Sequence, residues 1–277
     1  MTAAPKPVVT TAAQRTLAPP PVVVLCATRE RARVLMRGSF PRRRARLVLT
    51  RTPEELDAAF RHSLVDAAIV DLAGAQEETW RAAGLAREFP SVPFFGLTAL
   101  RAAEAPALAQ CAALDFADVL VESVDDSVVR DLVLRHAFST RFSAALAEPP
   151  AALGLDTPLQ RAAWRCIVAW SGRPVRTQLL ADAIGVTREH LSRTFAASGA
   201  PNLKRVIDLV RLIAAAELAK NPGYDVRDIA AVLDFASSSH LSSTAQRVVG
   251  MKPASLARLR AVDLIERFTK GHGRSRG

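Results

Sequence analysis

From Pro21 to about Phe138, short apolar runs alternate with stretches of helical periodicity. The runs are Val22–Cys26, Ala45–Leu49, Ala67–Asp71, Val92–Leu97 and Asp118–Val121. Arg31–Met36, Pro53–His62, Glu77–Glu88, Ala102–Ala113 and Ser127–His136 instead repeat apolar residues every three or four positions. Five continuous apolar strands alternating with five helices predict an α/β region, a five-stranded parallel sheet covered on both faces.

Beyond Thr157 the strand pattern stops. Helices are predicted at Leu159–Trp170, Thr177–Ile184, Arg188–Phe195, Leu203–Ala219, Val226–Leu233, Ser239–Val248 and Ala254–Arg267. Pro174, Pro201, Pro222 and Pro253 fall in the gaps, where proline ends one helix and leads into the next. Thr187 and Asp225 are placed to cap the helices that follow. The text EPPAALGLDTP has the proline content of a linker. The expected division is a disordered segment at 1–20, an α/β domain at 21–140, a linker at 141–158, an all-α domain at 159–267 and a basic tail at 268–277. Each domain is expected to have a core of its own.

Charge sharpens this division. Of the net +10, residues 1–150 contribute +1 and residues 151–277 contribute +9. A basic field confined to the helical half suits a polyanion, since each neutralised phosphate releases counterions. No uncharged apolar run reaches the length of a membrane span or forms a signal peptide. Cys26, Cys111 and Cys166 are far apart and set among apolar neighbours, as expected of buried thiols in a reducing cytoplasm. No P-loop, zinc-spaced Cys/His set or nucleophile elbow is present. Neither an enzyme, a metal, a cofactor nor a small-molecule ligand is expected.

The helical half contains an internal repeat at an offset of 49 residues. Leu180, Ala181, Ile184 and Gly185 correspond to Ile229, Ala230, Leu233 and Asp234. Each set is followed by a turn and a polar helix around one leucine, Leu191 or Leu241. A small residue lets two helices approach, a left-handed residue turns the chain, and the leucine anchors the second helix. The text LLADAIGVTREHLSRTF, then DLVRLIAAAELA, then VRDIAAVLDFASSSHLSSTAQRVVGMKP, resembles the DNA-binding domain of the AraC/XylS regulators. Arg211-Leu212 stands at the family's Arg-Leu pair, and Gly250 and Pro253 at its closing Gly-x-x-Pro.

The resemblance implies two helix-turn-helix units reading adjacent major-groove segments of double-stranded DNA. The connecting helix, about 25 Å at 1.5 Å per residue, has a length that permits this spacing. On the first recognition helix, Glu189, Ser192 and Arg193 fall at the family's outward positions, flanked by Arg188 and His190. Arg193 suits a bidentate contact with guanine, and Glu189 can accept from cytosine N4; a phosphate contact or a solvated surface is the alternative for Arg193. On the second, Ser239, His240 and Ser243 fall at contact positions, with Ser238 and Arg247 beside them. Serine discriminates bases poorly, so this unit is expected to contribute affinity more than specificity. Asp234 replaces the family's glycine, and Leu241 and Ala245 replace larger aromatics.

The α/β half resembles the receiver domain of two-component response regulators, with a flavodoxin-like sheet of order 2-1-3-4-5. Asp71 stands at the phosphoacceptor position and Thr98 at the hydroxyl position. The acidic pair that holds magnesium is replaced by Ala27 and Thr28, with Arg29 beside them, and the lysine by Glu122. Phosphoryl transfer needs a cation held by carboxylates and a positive group for developing charge. The resemblance therefore implies a pseudo-receiver in which Asp71 is kept for structure. Such a module pairs with a copy of itself or another protein, and Asp125, Asp126, Arg130, Asp131 and Arg135 mix both signs on a surface suited to a homodimer. Two alternatives stand beside this reading: a phospho-switch at Asp71, and a protein-interaction adaptor with weakened DNA binding.

Overall fold

Each apolar run pairs with its neighbours in parallel register. β1 (Val22–Cys26) lies between β2 (Arg46–Thr50) and β3 (Ala67–Asp71), and β4 (Phe94–Thr98) and β5 (Asp118–Val121) follow. The order is β2-β1-β3-β4-β5, the flavodoxin-like arrangement. The computed structural model describes residues 18–99, 105–196 and 199–273. The expected disordered segment lies almost wholly outside these residues, as do 102–104 and, in the tail, Arg274 and Arg276.

The α/β helices are α1 (Glu30–Ser39), α2 (Pro53–His62), α3 (Glu77–Gly84), α4 (Ala105–Ala113) and α5 (Val129–His136). Alternate strand residues feed opposite faces, as a two-residue period requires. Val23, Leu25 and Ile69 pack with Met36 and Val133 on one side. Val22, Val24 and Val70 pack with Leu56, Phe60 and Ala83 on the other. β2 and β4 begin one and two residues later than the apolar runs, because Ala45 and Val92 pack as buried turn residues outside the ladder.

The stretch expected as a linker is folded. α6 (Phe138–Ala145) runs through its first part, and Phe142, Leu146, Leu153 and Leu155 are buried. The remaining helices are α7 (Pro158–Ala169), α8 (Thr177–Ile184), α9 (Arg188–Phe195), α10 (Leu203–Leu218), α11 (Val226–Val232), α12 (Ser238–Val249) and α13 (Ala261–Gly273). The helix expected at Ala254–Arg267 splits into a 3-10 segment at Pro253–Arg258 and α13.

The expected separate cores are instead continuous on the α2–α3 face. Phe60 stacks on Phe89 at 4.2 Å, and Phe89 meets Tyr224 edge-on at 4.9 Å. Gly223 presses on Phe89 so closely that a Cβ there would stand 2.6 Å from the ring. The Tyr224 hydroxyl donates to the Phe60 carbonyl at 3.2 Å, and Arg61 pairs with Asp228 at 2.7 Å. Asp66, fully buried, accepts from the amides of Val22 (2.7 Å) and Ser139 (2.9 Å) and faces Arg173 at 3.5 Å. One carboxylate thus ties β1, α6 and the turn before α8 together.

Candidate nucleic-acid interface

The helical half builds the same corner twice. Gly185 ends α8 at φ +77°, and Asp234 ends α11 at φ +52°. Each corner closes with a six-residue hydrogen bond, Val186 N–H to Ala181 O at 3.0 Å and Phe235 N–H to Ala230 O at 2.8 Å. These bonds satisfy carbonyls that a helix end leaves orphaned. Thr187 then caps α9 by accepting from the His190 amide at 3.2 Å, and Ser237 caps α12 by accepting from the His240 amide at 3.0 Å. Ala181 and Ala230 are buried at the close helix contact, and Leu191 and Leu241 anchor α9 and α12 in the core.

Between the corners, α10 is a strut rather than a surface helix: 13 of its 16 residues are buried, which holds the units in fixed relation. Arg211 locks it. Its Nε donates to Gly172 O at 3.3 Å, and its Nη2 to Leu233 O at 2.9 Å and Asp234 O at 3.2 Å. Its guanidinium also lies 3.8 Å from the centre of the Phe235 ring. Burial lowers its pKa from the ordinary arginine value, partly offset by Asp208 and Asp234. One side chain thus joins the entry to the first unit, the strut and the second corner.

The outward faces differ. On α9, Arg188, Glu189, His190, Ser192 and Arg193 are all exposed, and none of their side chains has a hydrogen bond or ion pair among the described residues. Arg188 also lines a groove of about 450 Å³ with Arg176, Lys204 and Asp208. Arg176 and Lys204 were not expected here, because neither lies on α9; the fold brings them beside it. On α12, Ser238 is half-buried, and Ser239, His240, Ser243 and Arg247 are exposed, but most are engaged internally. The Ser243 hydroxyl donates to His240 O at 3.0 Å. His240 Nδ1 accepts from the Ala236 amide at 3.3 Å, and its ring meets Phe235 edge-on. Arg247 pairs with Asp208 of α10 at 2.9 Å.

At the opposite, C-terminal ends of the strands, Arg29 bridges Asp71 and Glu122. Its Nε and Nη2 grip Asp71 at 2.8 and 2.6 Å, and Nη2 also donates to Glu122. Arg31 reaches Glu122 at 3.3 Å. Burial raises the Asp71 pKa from the ordinary carboxylate range, and the Arg29 pairing opposes that shift. For Arg29, burial acts downward, but its bonds to Asp71 and Glu122 hold its pKa above the ordinary arginine value. Arg29 is thus a tethered cation beside Asp71, and both Asp71 oxygens are committed to hydrogen bonds.

Among the described residues, no helix is long and apolar enough to cross a membrane. The full-length FixJ of B. japonicum, known from a crystal structure, aligns with 82% of this chain and 96% of its own at 10% identity and a TM-score of 0.37. No curated protein matches. A family model described as a helix-turn-helix domain matches residues 180–258, from within α8 to the end of the 3-10 segment. Residues 180–258 thus resemble a helix-turn-helix domain, which supports DNA binding.

Proposed function

We propose that this chain is a sequence-specific DNA-binding transcription regulator of the AraC/XylS type, whose two units enter successive major-groove segments on one side of a duplex. The repeated corner carries this reading: two left-handed turns, 49 residues apart and closed by equivalent hydrogen bonds, are held by a buried strut. In this reading α9 reads bases through Arg193 and Glu189, while Arg188, Arg176 and Lys204 lie against phosphates. The second unit anchors, with Ser239 and the N-terminal amides of α12 on the backbone. Binding of a selected duplex should weaken by roughly 1–3 kcal/mol in Arg193→Ala and lose preference at one base pair. Equal binding to every duplex by the wild-type protein would refute sequence specificity.

The α/β half acts in this reading as a pseudo-receiver, a docking module without phosphoryl chemistry. The Arg29 clamp on Asp71 supports the loss of chemistry. Val124 and Val128, 71% and 44% exposed beside α5, support a pairing face. Much of the mixed charge there is spent locally: Asp125 and Asp126 accept from the Val121 and Ser123 amides, and Arg130 pairs with Asp131. Incubation with acetyl phosphate and magnesium should add no mass at Asp71; a gain of one phosphate in the intact mass would restore the phospho-switch.

A further inference from the structure

Between Glu30 and Glu54 the chain carries eight arginines and no carboxylate. The fold partners some of them: Arg31 with Glu122, and Arg33 and Arg37 with Glu30. Arg42, Arg43, Arg44 and Arg46 are exposed and form no ion pair among the described residues. They sit at the turn between α1 and β2, whose ends are pinned by buried Phe40 and Ala45 and closed by Arg44 and Ala45 amides on Pro41 O at 2.8 and 3.2 Å. Arg46, first residue of an edge strand, has a role in blocking strand-to-strand pairing. That role does not extend to Arg42–Arg44, which precede the strand. Three adjacent like charges on a fixed turn repel one another, and nothing in the described fold offsets this.

Their position gives them a use. In a parallel sheet the turns entering β2, β3 and β4 share one end. The helical half is bonded to that end: Arg173 donates to Leu64 O at 3.2 Å, the Gly223 amide to Glu88 O at 2.9 Å, and the Ser91 amide to Asn221 Oδ1 at 2.8 Å. A short series of bonds links the arginine turn to the first unit. The Arg46 amide donates to Pro21 O at 2.8 Å, the next residue, Val22, bonds Asp66, and Asp66 faces Arg173. Two strand spacings, on the order of 10 Å, separate β2 from β3 at this end.

We propose that Arg42, Arg43 and Arg44 form an additional duplex contact that grips DNA phosphates beside the segments held by the helix-turn-helix units. The inference rests on the DNA-binding reading above and extends it to a half of the chain whose net charge is close to neutral. The pinned turn presents its charges without a backbone ordering cost, and guanidinium groups match phosphate geometry. The contact carries no base information.

The test compares the full-length wild type with the triple variant Arg42→Ala/Arg43→Ala/Arg44→Ala on one selected duplex over a range of salt concentrations. The slope of log affinity against log salt should fall by about 2–3, at ~0.9 for each phosphate that is no longer neutralised. Hydroxyl-radical protection should disappear from backbone sugars flanking the two major-groove segments, with base preference unchanged. Arg43→Gln alone, a milder surface change, should lower the slope by about 1. Unchanged slope and footprint in both variants would overturn the proposal and leave the DNA-binding reading standing. A wild-type protein that binds no duplex would overturn both.

Discussion

The two helix-turn-helix units share a corner geometry and differ in what their second helices leave free. In the first, Arg188, Glu189 and Arg193 stand exposed with no partner among the described residues. In the second, Ser243 and His240 bond to their own helix and corner, and Arg247 is paired with Asp208. A few positions set the corner: a left-handed residue, a small residue at the helix contact, a hydroxyl cap and one anchoring leucine. The outward face is not bound by those demands and is free to diverge. Duplication of a fold thus need not duplicate recognition, and in the proposed function the difference separates reading from anchoring.

The largest test concerns what the units share. Arg211→Ala removes the donor to three carbonyls, two of them in buried bonds, at a cost of about 3 kcal/mol. Thermal unfolding should shift down by roughly 6–12 °C, at ~2–4 °C per kcal/mol for a chain of this size. Arg211→Lys should not rescue it, because a single ammonium cannot match the planar fork. A variant as stable as wild type would mean that the two corners are not coupled through α10.

A smaller effect probes the second unit. Asp208→Asn should free Arg247 for a phosphate and raise the magnitude of the salt slope by about 0.9. An unchanged slope would show that Arg247 faces no DNA even when unpaired. The smallest effects contrast the corners themselves. A side chain at Gly185 meets open space, so Gly185→Ala costs only the left-handed backbone, about 1 kcal/mol. Asp234→Gly relieves that cost in the second corner and should stabilise by about 0.5 kcal/mol, since glycine also loses more entropy on folding. Chemical denaturation of both variants checks the pair; shifts of the same sign would contradict equivalent corners.

Local features were legible in the sequence. The caps at Thr187 and Asp225, the left-handed Asp234 and the ends of α8 and α9 follow from residue types within a few positions. The long-range pairings were not. Arg61–Asp228 and Tyr224–Phe60 join residues more than 160 positions apart, and no periodicity encodes them. α6 was hidden because Phe138, Phe142 and Leu146 form a short stripe beside a proline-rich stretch that reads as linker; only the second surface they pack on reveals a helix. The positions expected to face outward on α9 and α12 are exposed or half-buried, but Arg247's pairing with Asp208 depends on a helix crossing that the sequence does not state.

Division of labour between the units is tested most directly by selecting bound sequences from a random duplex pool with wild type, Arg193→Ala and Ser239→Ala/Ser243→Ala in parallel. The wild-type protein should return one strongly preferred segment and, about one helical turn away, one weakly preferred segment. Arg193→Ala should erase preference at a position in the strong segment, and the double serine variant should leave the whole pattern unchanged. Two equally strong segments, or loss of preference in the serine variant, would contradict the account.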